Sequence, residues 1–248
     1  DKSLEEKVTV MKDESFKKRI LSEEPAVDKN HMIYTLMTAF DKQFPMDQIP
    51  IYEPPIEASI AGIAESSNKS VMEVIYEELL KNDGKTFIWA PFAPYPDHNL
   101  DFYKMIMEFE SSVAGLSDGG AHCGLICDAS MPTWNISHWT KDRVKGEKIP
   151  LEFLVRKQTK ETAETFGLMD RGQIKEGYMA DINIIDHDKL CVYKPEMVHD
   201  LPTGSRRIIQ KAGGYIATIK SGVVTFKNDE ATGELPGTLI RGEQAAHA

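Results

Sequence analysis

The apolar positions of this chain follow two rhythms: a helical spacing through much of the first two-thirds, and an alternation in the last third. Within VMEVIYEELLKNDG, residues 71–84, Val71, Val74, Ile75 and Leu79 share one helical face. Ser70 and Glu73 form a capping-box pair ahead of it and Gly84 suits its exit, so the spacing predicts a helix. NLDFYKMIMEFE, residues 99–110, fits a second amphipathic helix. Residues 1–30 read as one or two charged surface helices, with Phe16, Ile20 and Leu21 as a modest stripe and Pro25 as the break. Pro150 sits well for the first turn of a helix over LEFLVRKQTKETAETFG, residues 151–167. Its inner face would be Leu151, Leu154, Val155, Thr159, Ala163 and Phe166, with Gly167 closing it.

Three short apolar runs read as strands: residues 49–52 in QIPIYEPP, TFIWAP at 86–91, and SSVAGLS at 111–117. Strand, helix, strand, helix and strand is the order of βα units. It predicts an α/β chain with parallel strands and reacting groups at their C-terminal ends. The texture then changes. ADINIID, residues 180–186, alternates, and YIATIKSGVVTF, residues 215–226, reads as two strands joined by a tight turn at Ser221-Gly222. The tail ATGELPGTLIRG suggests an irregular edge or lid, and no internal repeat is visible.

Charge and composition narrow the function classes. The net charge is −10, with no basic stretch, which argues against a nucleic-acid or anionic-membrane partner. No apolar run approaches a bilayer-spanning length, and DKSLEEKVTV lacks the order of a secretory signal, so a soluble, cytoplasmic protein is expected. The three cysteines, Cys123, Cys127 and Cys191, are expected to be reduced. The chain opens on Asp rather than Met, compatible with a piece of something longer.

The candidate chemistry lies in GLSDGGAHCG, residues 115–124. Asp118 is open to two readings. It caps a βα turn, or its carboxylate approaches a substrate or metal because Gly119 and Gly120 put no side chain in the way. His122 either faces the substrate, bonds Asp118, or fixes the loop. His122, Cys123, Cys127 and Asp128 make a loose set for a local metal site, weaker than paired CxxC clusters. A nucleophilic Cys123 lacks an identifiable orienting partner.

The longer string VAGLSDGGAHCGLICDASMPTWNISHW, followed by FGLMDRGQIKEGYMADINIID and by GYIATIKSGVVTF with TGELPGTLIRG, resembles the amidohydrolase superfamily. Within it the likeness is to the N-acyl-D-amino-acid deacylases (D-aminoacylases), over most of residues 45–245. The resemblance implies a (β/α)8 TIM-like metallo-hydrolase barrel followed by a small β-sandwich. Asp118 matches the aspartate after the eighth strand, which serves the zinc-bound water: it would hold the water by the metal, accept its proton and pass it to the departing nitrogen. His122, Gly119 and Gly120 would line the substrate, an N-acyl amino acid or related linear amide.

A complete barrel takes about 250 residues, and the eighth-strand motif should come near their end. Here it arrives at residue 118, after roughly three strand candidates. The chain is therefore expected to be the C-terminal part of such an enzyme, with residues 1–172 as an incomplete barrel and 173–248 as sandwich. The seven histidines include no His-x-His pair, and Asp118 is the one metal-site residue that carries over. Since a catalytic zinc usually needs three protein ligands, the others are expected upstream, and the isolated chain is expected to be inactive. Its implied partners are the N-terminal half of the same enzyme and, because half-barrels expose strand edges, a further copy of itself.

CDASMPTW, residues 127–134, lacks the arginine that in D-aminoacylases forks onto the substrate carboxylate; Lys141 and Arg143 are the alternatives weighed against solvated surface charges. Trp134 and Trp139 read as packing residues, and Arg171 as a brace between barrel and sandwich. A hydantoinase- or dihydroorotase-like cyclic amidase and a non-catalytic half-barrel subunit or scaffold stand as rivals.

Overall fold

Short apolar stripes and well-formed caps build the first part of the chain. The computed structural model describes residues 2–24, 26–46, 50–91, 95–115, 117, 119–120 and 122–245, and the chain divides into two units, Asp1–Leu100 and Asp101–Ala248. In the first unit, α1 (Leu4–Met11) starts at a Ser3/Glu6 capping box and α2 (Glu14–Ser22) at Asp13, whose carboxylate accepts from the Phe16 amide. The helix α3 (Met32–Thr38) and the two-residue strand β1 (Phe44–Pro45) follow, then α4 (Ile60–Ser67), α5 (Val71–Leu80) and strand β2 (Ile88–Trp89).

The Ser70/Glu73 capping box opens α5 as its sequence predicts. Val74 packs with Ile60 and Ala64 of α4 to form the core, flanked by Phe40, Ile63, Val71, Ile75 and Ile88. Leu79, assigned to that face by spacing, is 42% exposed instead. Tyr76 is buried in its place, and its hydroxyl donates to the Met11 carbonyl at 2.8 Å, so α5 is covered on two sides. Strands β1 and β2 pair antiparallel, Phe44 opposite Trp89. Pro45 has no N–H to extend that ladder. In the predicted strand at 49–52, Ile49 lies outside the described residues and 50–52 form no strand.

The second unit begins with α6 (Asp101–Glu108), where predicted, and Phe102, Met105, Ile106 and Phe109 form an exposed apolar stripe along it. The described part of the expected strand at 111–117 is not a strand. Carbonyls in it and just before it bond side chains rather than a ladder: Lys157 Nζ donates to Ser112 at 2.6 Å and to the preceding Phe109 at 3.0 Å, and Thr162 Oγ1 to Ala114 at 3.0 Å. α7 (Met131–Ser137) runs into a π-helical turn over His138–Asp142. α8 (Leu151–Arg156) continues through a second π-helical turn, Lys157–Glu161, into α9 (Thr162–Thr165), and Gly167 ends it at φ +69°.

That π turn resets the buried face of the 151–167 helix, because one extra residue rotates everything beyond it. Beyond the turn Ala163 is buried as expected but Phe166 is 67% exposed; ahead of it Leu154 is buried and Val155 39% exposed, and Lys157 at the start of the turn is buried.

The remainder is β-rich: β3 (Ile182–Ile185), β4 (Cys191–Val192), β5 (Glu196–Val198), β6 (Arg207–Ile209), β7 (Ala212–Gly213), β8 (Tyr215–Lys220), β9 (Val223–Lys227) and β10 (Glu230–Ala231). The largest sheet has the order β10-β9-β8-β3, while β4 pairs with β7 and β5 with β6. Ser221 at φ +51° and Gly222 at φ +80° make the predicted turn between β8 and β9, a left-handed pair whose twist suits a hairpin. The architecture is thus mixed α/β. Every ladder among the described strands is antiparallel, against the parallel pairing expected from the βα rhythm, and none of these sheets closes into a barrel. Among the described residues the segments between helices form two-residue strands or bond side chains, so no described parallel neighbour is available to them. No described helix is long and apolar enough to cross a membrane.

Candidate functional site

The aspartate on which the sequence reading centres, Asp118, lies outside the described residues, as do its neighbours Leu116 and Ala121. The residues around it are placed. A Cβ added to Gly119 would come within 2.9 Å of the Ala129 side chain, so the chain approaches its own continuation too closely for any other residue. Gly120 has open space around it. His122 is exposed with φ +52°, and its carbonyl accepts from the Leu125 and Ile126 amides at 2.8 and 3.0 Å. Its backbone therefore opens a tight turn, while no described residue hydrogen-bonds its imidazole.

This loop is tied to the β-rich segment at several points. The Ile208 amide of β6 donates to the Cys123 carbonyl at 2.6 Å. The Ser130 hydroxyl donates to Gln210, whose amide nitrogen donates to the Tyr193 carbonyl at 2.7 Å. Thr133 and Tyr215 share a hydroxyl–hydroxyl bond of 2.7 Å. The position of the loop is consequently a property of β6 and β8 as much as of its own residues.

The local metal set is not assembled. Among the described residues no three His, Cys, Asp or Glu side chains converge on a common point. Burial, with the adjacent Asp128 charge, pushes the Cys127 thiol up to about 11, so it keeps its proton near neutrality and is a poor ligand or nucleophile.

The cations considered as carboxylate clamps are engaged elsewhere. Lys141 Nζ donates to the carbonyls of His187, Asp188 and Leu190 at 3.1, 3.1 and 2.8 Å. Thr140 adds a 2.7 Å bond to the His187 ring, fastening the first π turn to the 187–190 turn. The Arg143 side chain is fully buried, lies 4.6 Å over the Trp139 ring, donates to the Glu147 carbonyl and pairs with Asp101 at 2.6 Å. Both serve the fold. Trp139 is buried and Trp134 stacks on His138 at 4.5 Å, consistent with packing.

Arg171 grips Asp170 with Nε at 2.8 Å and one terminal nitrogen at 3.0 Å, and reaches Asp181 at 3.3 Å. Asp181 in turn accepts from Lys220 at 2.9 Å and from the Ser221 amide at 2.9 Å. Burial opposes ionisation of Asp181, but the Lys220 and Ser221 hydrogen bonds and the Lys220 and Arg171 charges outweigh it, and the carboxyl titrates below its ordinary range. The network pins the β8–β9 turn to the start of β3 as a brace.

Lys157 escaped the sequence reading, which expected an apolar inward face. Its ammonium meets two carbonyls and Glu161 at 3.1 Å. The one signal was a helical stripe that thins out after Val155.

A family model described as the amidohydrolase family matches residues 98–226, just over half of the chain. The match begins at the edge of the second unit and ends inside β9. Searches of curated proteins and of solved structures return no significant match.

Proposed function

This chain belongs to the amidohydrolase family, and from that premise we propose that it is the C-terminal portion of a metal-dependent hydrolase that cleaves the carbon–nitrogen bond of a linear amide. The substrate is an N-acyl amino acid, of D configuration in the nearest resemblance. Asp118 takes a proton from the attacking water and returns it to the leaving nitrogen. Gly119, Gly120 and His122 shape the substrate side of the same loop. One observation carries this reading: the family match spans SDGGAH together with the FGLMDRGQIKEGYMADINIID and GYIATIKSGVVTF blocks behind it.

Zinc is the metal that the resemblance implies, and the described residues do not form a site for it, since no triad of donors converges and the Cys127 thiol stays protonated. The ligands beyond Asp118 are proposed to come from the N-terminal half of the same enzyme. The exposed stripe Phe102, Met105, Ile106 and Phe109 on α6 supports a need for covering polypeptide. The domain reading proposed with this function keeps residues 1–172 as barrel end and 173–248 as sandwich portion.

The test is Asp118→Asn in the zinc-loaded complete enzyme, assayed on N-acyl-D-amino acids. Turnover should fall by about 100- to 10,000-fold, the usual worth of a positioned acid–base group, at unchanged zinc content. Undiminished turnover would remove Asp118 from the mechanism.

A further inference from the structure

An N-acyl amino acid keeps its α-carboxylate through cleavage of the amide. A chain of net charge −10 repels such an anion unless a cation stands at the site. Lys141 and Arg143 cannot supply it, since both are spent on carbonyls and, for Arg143, on Asp101.

Arg206 meets the requirement. The His122 carbonyl accepts from the Leu125 and Ile126 amides, and Gly124 lies inside the turn so made, at the end of the GLSDGGAHCG motif. A Cβ added to Gly124 would lie 3.9 Å from Arg206 Nε, so the guanidinium stands against bare backbone of the motif loop. The strand β6 holds it there, because the Ile208 amide, two residues on, donates to the Cys123 carbonyl at 2.6 Å. The neighbouring Arg207 is already occupied: two of its nitrogens close on the Asp200 carboxylate, each at 2.7 Å. Arg206 is exposed, and among the described residues no carboxylate or other acceptor meets its side chain. A guanidinium matches a carboxylate with two parallel hydrogen bonds and keeps its charge at any working pH.

We propose, resting on the hydrolase reading above, that Arg206 binds the α-carboxylate of the N-acyl amino acid and so selects anionic over neutral amides. The carboxylate accepts from two N–H donors of the guanidinium, and Gly124 leaves room for it beside the loop.

Two measurements test this. The first uses the chain itself and follows the Arg206 Nε–H signal by NMR during addition of N-acetyl-D-leucine, with the uncharged N-acetyl-D-leucine amide as control. The acid should give a saturable shift at millimolar concentration, the range open to a ligand of about twelve heavy atoms, and the amide none. The second compares the same two compounds as substrates of the zinc-loaded complete enzyme. Arg206→Gln should lower kcat/KM for the acid by about 10- to 100-fold, the worth of a charge-assisted pair, and leave that for the amide within about twofold. Arg206→Lys, which keeps the charge and loses the fork, should recover part of the loss. Gly124→Asp sets a rival carboxylate beside the guanidinium. It should abolish the shift with the acid while Arg206 is still present, and it serves if Arg206→Gln fails to fold. An absent or unsaturable shift, no loss in Arg206→Gln, or an equal loss on both compounds would overturn the assignment. A parent enzyme that turns over neither compound, with the shift intact, would support the anion site at Arg206 and overturn the hydrolase reading instead.

Discussion

Lys157→Met offers the sharpest test of how the motif-bearing segment is held. Methionine keeps the aliphatic stem and its packing, so the perturbation is confined to the ammonium. In the parent, that group donates to Ser112 at 2.6 Å and Phe109 at 3.0 Å and pairs with Glu161 at 3.1 Å, with 6% of the side chain exposed. Glu161 retains a partner in the variant, because Arg156 lies 2.8 Å away and is itself half-exposed. The ion pair therefore contributes little to the difference. The two carbonyls are another matter: each loses a charge-assisted bond worth about 1.5 kcal/mol, giving about 3 kcal/mol in total. The assay is urea unfolding followed by tryptophan fluorescence, Trp134 and Trp139 lying in the same unit, with hydrogen exchange read over 109–115. The midpoint should fall by the equivalent of about 3 kcal/mol, and exchange in that stretch should accelerate first. A shift below about 0.5 kcal/mol, within the range of ordinary surface substitutions, would refute the claim that Lys157 substitutes for a strand ladder.

Three further outcomes follow from the described geometry. Gly119→Ala should lower the melting temperature, by about 1–3 kcal/mol of overpacking against Ala129, while Gly120→Ala should leave it unchanged; equal effects at both would contradict the close approach at 119. Cys127 should alkylate with iodoacetamide at pH 8 about a hundredfold more slowly than an ordinary thiol, because its pKa of about 11 stands against 9.0, and mass spectrometry of the labelled peptide reads this directly. Asp181 carries a depressed folded-state pKa, so its support for the β8–β9 turn is complete above the unfolded value of about 3.9 and is lost as pH falls through the folded value. Exchange at Ser221 and Gly222 should therefore rise over its intrinsic rate below about pH 4, and Asp181→Asn should remove that dependence.

The elements legible in the sequence were those set by neighbours along the chain. Ser70 and Glu73 announce α5 because a capping box is complete within four residues, and Ser221-Gly222 announces a hairpin because its left-handed pair needs nothing beyond itself. Elements decided by distant partners were misread. An apolar run such as 111–117 looks the same whether its carbonyls face a parallel strand or the side chains of Lys157 and Thr162, more than forty positions away. The expected inner face of 151–167 failed at Phe166 because a π turn over Lys157–Glu161, which has no sequence signature, rotates the helix beyond it; Val155, ahead of the turn, is exposed for other reasons. For the candidate site, order of motifs pointed to the family, yet local chemistry did not: Lys141 and Arg143 look like free cations in sequence and are occupied by carbonyls and, for Arg143, by the Asp101 carboxylate in the fold.

The links from Cys123 to Ile208, Ser130 to Gln210 and Thr133 to Tyr215 have a bearing on recombination between relatives. A chimera joined after α9 would bring together a loop over 122–133 and a strand segment that have not been matched to one another. Productive crossover points should instead fall outside residues 122–215, so that the loop and the strands supporting it are exchanged as a single cassette.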